Sequence, residues 1–365
     1  MISIFLRKDT LRPRYIYSIL QPYTSPLMET DSDLNDTSSD GRSSSPAPSL
    51  YSFNSSIDGK LLLRHVYGRI LNSQNDTYFL PADWEEHRRL DLQHDIHTIN
   101  LGSLYPAVEQ VRRALMPREN FTPAILDVGT GSGSWAIDMA LEFPYCEVVG
   151  VDLAPPRIEL DLPQNCRFEI DDANLGFSHY RNSFDVVHAR AVCSGIRDFP
   201  SLLNELADVL RPGGVILLGD GDMQLYDETM KPVPYSELGQ PNFSYTHRIF
   251  FAAYNAMKNR GGSIDSASMS PTWLRAIDKF TDVGWHKVYI PMGPWIYVDE
   301  RSRVVAEMLR QNVYSYISTL TPLLLSEGYL AEAVETMQNE AKAELRELKV
   351  HLYSRWSYAW AVKKP

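Results

Sequence analysis

The chain has 365 residues, 44% of them hydrophobic and 22% charged, so it is long and apolar enough to bury a substantial core. Its net charge of −11 argues against nucleic acid as a partner, because a protein needs a basic surface to bind phosphates. Its three cysteines include no Cys-x-x-Cys pair, so neither a disulfide scaffold nor a cysteine-built metal site is expected. No apolar run approaches about 18 residues, so no membrane-spanning segment is predicted.

The N-terminal part of the chain differs in composition from the rest. Residues 29–58 are rich in serine, aspartate and asparagine, and such a segment buries too little apolar area to offset chain entropy. Arg7 and Lys8 interrupt the apolar start of the chain before a secretory signal could form. We therefore predict a disordered tail at residues 1–57 and one domain at residues 58–365.

The centre of the chain alternates between strand and helix signals. The apolar run at residues 124–128 ends in glycines, as a buried parallel strand often does, and Ala136, Met139 and Ala140 then share one helix face. Further strands are predicted at residues 147–152, 167–170, 184–188 and 215–218, with a helix face over residues 202–210. This alternation predicts an α/β fold with a doubly wound parallel sheet.

An insertion rich in aromatic residues, 223–262, follows the fifth predicted strand. Its rings could form the wall of a pocket for an apolar ligand, or they could pack one helix face against the core, and the sequence leaves both possibilities open. Beyond the insertion we predict a helix over residues 271–280, an exit turn at Gly284, a strand over 285–290, an amphipathic helix over 330–348 and a strand over 358–362. These two strands bring the sheet to seven.

Glycines and acids follow the predicted strands at the positions where a doubly wound sheet binds its ligand. The first strand leads into Gly129-Thr130-Gly131-Ser132-Gly133, a GxGxG loop that differs from the GxGxxG of dinucleotide enzymes. Asp152 ends the second strand, where a carboxylate can accept both hydroxyls of a ribose. Asp171 and Asp172 follow the third strand, where an aspartate could accept a hydrogen bond from an adenine amino group.

Five motifs together resemble a known family. They are ILDVGTGSG, VVGVDL, FEIDDA, FDVVHAR and LRPGGVILLGDGD, and their order and spacing resemble class I S-adenosylmethionine-dependent methyltransferases. The upstream segments YGR, YFLP and RLDLQH and the C-terminal segments IPMGPW and YAWAV are similar to the LaeA-like fungal secondary-metabolism methyltransferases. The resemblance covers about residues 58–365.

This resemblance implies a fold, a cofactor and a set of binding residues. The fold is a seven-stranded, mostly parallel, Rossmann-like methyltransferase sheet with a helical N-terminal cap, and the cofactor is S-adenosyl-L-methionine. The residues implied to contact the cofactor are Asp127, Gly129, Thr130, Gly131 and Gly133 near its methionine part, Asp152 and Leu153 at the ribose and adenine, Asp171, Asp172 and Ala173 at the adenine edge, and Arg190 near the sulfonium. Tyr67 and Arg69 are implied to close over it, with Arg69 meeting its carboxylate.

The acceptor determines which further residues the reaction requires. A hydroxyl acceptor must lose a proton to a base such as histidine or aspartate, whereas a carboxylate acceptor is already ionised at neutral pH. His188 ends the fourth predicted strand and His94 lies on an upstream amphipathic segment, so these two are the candidate catalytic residues. Asp220 and Asp222, after the fifth strand, are further candidates for the base.

Two functions of different classes follow from these observations. The first is an enzyme that O-methylates a small, partly apolar secondary metabolite in the cytoplasm. The second is a LaeA-like nuclear regulator of secondary metabolism that acts through protein partners. A basic nuclear-import run would favour the second, but Lys363-Lys364 is too short to be one, so the sequence favours the enzyme.

Overall fold

The computed structural model describes residues 62–156 and 162–365, and the predicted tail at residues 1–57 lies outside them. A two-stranded antiparallel hairpin opens the described chain, and a seven-stranded sheet follows it. The hairpin strands are β1 (Leu63–Val66) and β2 (Arg69–Asn72), and the sheet strands are β3 (Ala124–Val128), β4 (Glu147–Asp152), β5 (Cys166–Ile170), β6 (Phe184–Arg190), β7 (Leu210–Tyr226), β8 (Phe280–Pro291) and β9 (Tyr353–Lys363).

The sheet has the order β5-β4-β3-β6-β7-β9-β8. Strands β3 to β7 are parallel, and β9 runs antiparallel between β7 and β8. The strand order reverses at β3, which pairs with β4 on one side and with β6 on the other. This arrangement confirms the predicted doubly wound, mostly parallel sheet of seven strands, and it puts the topological switch point at the carboxyl end of β3.

Helices cover both faces of the sheet, and several begin at a side-chain cap. They are α1 (Trp84–Leu101), α2 (Val108–Ala114), α3 (Ser134–Glu142), α4 (Phe199–Val209), α5 (Tyr245–Asn259), α6 (Ser266–Ala276), α7 (Glu300–Thr319), α8 (Thr321–Ser326) and α9 (Ala331–Glu347). Asp83, Asp198, Ser244 and Asp299 each accept a hydrogen bond from the backbone N–H three residues later, at the starts of α1, α4, α5 and α7. Each cap satisfies one of the N–H groups that a helix leaves unpaired at its start.

The hydrophobic core has three parts. Leu202 and Leu206 of α4 and Leu274 of α6 pack against one face of the sheet. Trp135 and Met139 of α3 pack, together with α2, against the other face. A third cluster joins α1, α5 and α7 to α9 with the β7–β9 end of the sheet. Burial of these apolar faces is what fixes the helices on the sheet, because amphipathic helices gain most of their stability from tertiary packing.

The structure corrects several predicted boundaries in the second half of the chain. Helix α6 begins five residues earlier and ends four residues earlier than the predicted helix over residues 271–280, so Pro271 lies inside it instead of at its start. Gly284 lies within β8 instead of forming a helix exit. A Cβ at this position would come within 2.3 Å of the Trp360 ring on β9, so the close packing of the two strands requires glycine here. The glycine was a sign of close strand packing, which local sequence patterns do not distinguish from a turn.

Two further properties bear on the class of protein. Within residues 62–156 and 162–365, no helix is long and apolar enough to cross a membrane. The same part of the chain holds no group of three His, Cys, Asp or Glu side chains that is placed to bind a metal ion.

Candidate active site

A cavity lies where the carboxyl ends of β3, β4, β5 and β6 meet α1 and α3. It holds about 870 Å³ of empty space, part of which is open to solvent. It is lined by residues 128–132, 134, 135, 151–153, 171–174, 190–192, 195 and 196, together with Tyr78, Leu90, Gln93 and His94. Its position at the switch point is where open α/β sheets bind their ligands.

The loop between β3 and α3 depends on its three glycines. Gly129, Gly131 and Gly133 have φ angles of 67°, 57° and 83°, a region that other residues adopt only with strain. A Cβ at Gly129 would lie 2.4 Å from Cγ1 of Val192, and one at Gly131 would lie 2.9 Å from Cδ1 of Leu90. Because Val192 and Leu90 line the cavity, any larger side chain in this loop would displace its wall.

Asp152 connects the second strand to the glycine loop. Its Oδ2 atom accepts a hydrogen bond from the Gly131 amide at 2.8 Å. Burial raises the pKa of the Asp152 carboxyl, and the amides of Gly131 and Ala154 oppose that rise. The carboxylate faces the cavity, where its remaining lone pairs can accept hydroxyl groups of a ligand.

Asp171, Asp172 and Ala173 line the cavity after β5. Asp172 also caps a short 3-10 helix, because its Oδ1 atom accepts the Asn174 amide at 3.0 Å. Its Oδ2 atom accepts from the Asn75 side-chain amide at 2.9 Å. The predicted cofactor acid at this position is therefore held in place from two directions.

Arg190 and His94 form the part of the cavity beside β6. The Arg190 Nη2 atom donates to His94 Nδ1 at 3.1 Å, and His94 Nε2 lies 3.1 Å from Asp138 Oδ2. Arginine can only donate, so His94 Nδ1 is unprotonated and Nε2 carries the proton that it shares with Asp138. Burial lowers the pKa of the His94 imidazole, in keeping with a neutral ring. Burial also lowers the pKa of the Arg190 guanidinium.

His188 is buried behind the cavity instead of lining it. Its Nδ1 atom lies 2.7 Å from Asp127 Oδ1, and its ring stacks on Trp135 with a centroid distance of 3.8 Å. Asp127 in turn accepts from the Thr130 hydroxyl at 2.7 Å. Burial lowers the pKa of His188, although the Asp127 carboxylate opposes this effect. Trp135, not His188, contributes to the lining.

The structure brings together nine of the thirteen predicted cofactor residues, namely Gly129, Thr130, Gly131, Asp152, Leu153, Asp171, Asp172, Ala173 and Arg190. Asp127 and Gly133 lie beneath the lining as supports of the loop. Tyr67 is 56% exposed at the tip of the β1–β2 hairpin and does not line the cavity. Arg69 does not line it either, because its Nε atom donates to the N-cap carboxylate of Asp83 at 2.6 Å.

Several lining residues were absent from the sequence prediction. Leu90 and Gln93 lie on the same face of α1 as His94, and this helical spacing was a signal in the sequence. Trp135 is the second residue of α3, directly after the glycine loop. Tyr78 precedes α1 in a loop, and no local pattern marks it as a wall of the cavity.

The aromatic insertion does not form a wall of this cavity. Residues 223–226 belong to β7, and no residue of 223–262 is among those that line the cavity. Phe250 of α5 is buried against Tyr316 of α7, with a ring centroid distance of 5.6 Å. Of the two possibilities that the sequence left open, helix packing is the one that the structure supports.

Comparisons of the sequence with known proteins identify the family of the chain. A family model described as a methyltransferase domain matches residues 122–264, a segment that contains β3 to α5. The secondary metabolism regulator laeA of Coprinopsis cinerea is 35% identical over 301 residues, which are 82% of this chain and 73% of that protein. The methyltransferase pytC of Aspergillus terreus is 29% identical over 279 residues, covering 75% of this chain and 80% of that protein.

Among solved structures, the chain is similar to phosphoethanolamine N-methyltransferase 2 of Haemonchus contortus in complex with S-adenosyl-L-methionine. The TM-score is 0.41 and the sequence identity is 19%. The match covers 71% of this chain and spans about half, 52%, of that one.

Proposed function

This chain belongs to the LaeA-like S-adenosylmethionine-dependent methyltransferases, and from that premise we propose that it methylates a carboxylate oxygen of a small, partly apolar acceptor. S-adenosylmethionine is its methyl donor. When bound, the donor supplies a methyl group that its positive sulfur already activates. The work left to the protein is therefore to hold the reacting atoms in line and to exclude water.

The residues of the cavity fit this donor. Without side chains at Gly129 and Gly131, Val192 and Leu90 pack directly against the glycine loop, and the loop backbone itself lines the cavity, where a ligand can contact it. We assign the ribose hydroxyls to Asp152 and the adenine amino group to Asp172, because both carboxylates face the cavity at the ends of neighbouring strands. Leu153 and Ala173 supply apolar contact to the adenine ring.

One observation favours a carboxylate over a hydroxyl as the acceptor: among the described residues that line the cavity, no side chain beside Arg190 is placed to remove a proton. Both nitrogens of His94 are engaged, and His188 lies behind Trp135. Burial raises the pKa of the Tyr78 phenol well above its usual range. Since a hydroxyl acceptor needs a base and a carboxylate does not, an acceptor that arrives already ionised suits this part of the described chain.

The chemical stability of the product tests this proposal. The full chain is incubated with donor that carries a radiolabelled methyl group and with a panel of apolar carboxylic acids, each paired with its matched alcohol or phenol. Methyl esters release labelled methanol in mild alkali, whereas methyl ethers do not. We expect alkali-labile label from acids only, and strongly reduced label with the donor-site variant Asp152→Ala at a donor concentration near the wild-type Kd. Alkali-stable label on an alcohol or phenol would overturn the carboxylate assignment.

The second candidate is a regulator that acts through protein partners in the nucleus. The observation in its favour is the 35% identity to a relative that is named a secondary metabolism regulator. The two functions predict different destinations for the methyl group in the same assay, now with a cell extract added. Label in acid-precipitable protein would favour the regulator, and label in the small-molecule fraction would favour the cytoplasmic enzyme.

A further inference from the structure

Arg190 carries a positive charge into the cavity without a carboxylate to neutralise it. No acidic side chain of residues 62–156 and 162–365 forms an ion pair with its guanidinium, whose hydrogen bond goes to the neutral ring of His94. Asp127, whose charge acts on Arg190, is held in contact with His188 and Thr130 instead. An enclosed cation without a partner is costly, so its retention at a binding site points to an anionic ligand group.

The charges along the cavity indicate which group of the donor lies here. Asp152, Asp171 and Asp172 occupy the side formed by β4 and β5, and they repel an anion. Arg190 occupies the opposite side, at the end of β6. The only anionic group of S-adenosylmethionine is the α-carboxylate of its methionine part, so the electrostatically favoured orientation directs this carboxylate toward Arg190.

His94 fixes the direction of the guanidinium. Its Nδ1 atom accepts from Arg190 Nη2, and its Nε2 atom is tethered to Asp138 on α3. The two contacts hold the imidazole at both ring nitrogens, and planar guanidinium groups recognise carboxylates best when their orientation is set in advance.

We propose that Arg190 is the anchor for the α-carboxylate of the methyl donor, and that His94, tethered by Asp138, is a positioning residue for Arg190. His94 then has no part in proton transfer. This inference concerns the donor alone and holds whichever acceptor the enzyme takes.

Calorimetry on the full chain tests the anchor, with two ligands that differ only in the carboxylate: S-adenosylhomocysteine and its decarboxylated analogue. The wild type should prefer S-adenosylhomocysteine by about 10- to 100-fold, the range for a hydrogen bond to a charged group. Arg190→Gln should abolish this preference, and Arg190→Lys should retain part of it. Asp172→Asn, at the adenine side, should leave the ratio of the two affinities unchanged. A preference that survives in Arg190→Gln would overturn the proposal.

Two substitutions at His94 test the positioning role separately. His94→Asn keeps an acceptor near the position of Nδ1, whereas His94→Gln keeps a donor near the position of Nε2 and loses that acceptor. We expect His94→Asn to retain most of the preference for S-adenosylhomocysteine and His94→Gln to lose most of it. An equal loss of affinity for both ligands in both variants would mean that His94 only supports the fold, and the positioning role would be wrong.

Discussion

Replacing Asp220 by asparagine is expected to stabilise the protein at neutral pH. Asp220 lies in β7 and is only 2% exposed. Its Oδ2 atom accepts the Ser266 hydroxyl at 2.9 Å, and no cation of the described residues pairs with it. Burial raises the pKa of its carboxyl from 3.8 to about 6, and hydrogen bonds from Ser266, Cys193 and Ala191 oppose this rise. Ionisation of this buried carboxyl at pH 7 therefore destabilises the folded state.

The size and sign of this effect follow from the two pKa values. A difference between 3.8 and about 6, at about 1.4 kcal/mol per pKa unit, corresponds to about 3 kcal/mol of free energy of unfolding. Between about pH 4 and pH 6 the folded chain binds a proton that the unfolded chain does not. This group therefore stabilises the fold as the pH falls through that window, and it destabilises the fold above it. Asparagine is uncharged over the whole pH range, so the variant lacks the destabilisation that the ionised carboxyl causes.

Urea unfolding of the wild type and of Asp220→Asn, measured from pH 4 to pH 8, tests this reasoning. The variant should be more stable by up to about 3 kcal/mol at pH 8, and the difference should shrink toward pH 4. Asp278→Asn is the control for the loss of one negative charge, because Asp278 is exposed in a turn outside the helices and strands. A variant that is less stable than the wild type at pH 8, or a difference independent of pH, would refute the argument.

Three further predictions concern the site and one concerns the tail. Asp152→Ala should weaken S-adenosylhomocysteine binding by about 2–3 kcal/mol in calorimetry, because it removes a charged acceptor, and equal affinity would contradict its assignment to the ribose. His188→Ala should lower both the melting temperature and the donor affinity, since the ring is stacked under Trp135; a loss of turnover alone, with affinity intact, would restore His188 as the base. Gly129→Ala should abolish measurable donor binding because its Cβ would displace the cavity wall, and normal binding would show that the loop relaxes at little cost. A chain that begins at Ile57 should melt within a few degrees of the full chain, as expected from the polar composition of residues 1–56, and a large drop in melting temperature would show that the domain boundary is wrong.

Local patterns were sufficient to predict the first half of the sheet. The strand at residues 124–128 and the glycines that follow it are contiguous in sequence, and the structure has β3 at the same residues. Asp152 could also be predicted, because the end of a parallel strand next to the switch point faces the ligand in any doubly wound sheet. These features depend on the spacing of hydrophobic residues and on residue position within one continuous segment, and both can be read from the sequence.

Residues that reach the site from a distance were harder to assign. Arg69 was expected at the cofactor. Its guanidinium instead donates to the carboxylate of Asp83, the N-cap of α1, and Arg69 does not line the cavity. His188 was expected to face the acceptor, but the Trp135 ring stacks over it. Both outcomes depend on contacts between side chains that belong to different helices and strands.

The sequence by itself determined the fold class, the glycine loop and the acids at the strand ends, because backbone conformation and strand direction follow from residues close together in the chain. Only the tertiary structure decided that His94 holds Arg190 while His188 lies beneath Trp135. The three elements involved, α1, α3 and β6, are separated by up to about a hundred residues, and His94 and Arg190 are 96 apart. Which atoms share a hydrogen bond over such a separation is settled by how the helices pack on the sheet, not by any pattern within them.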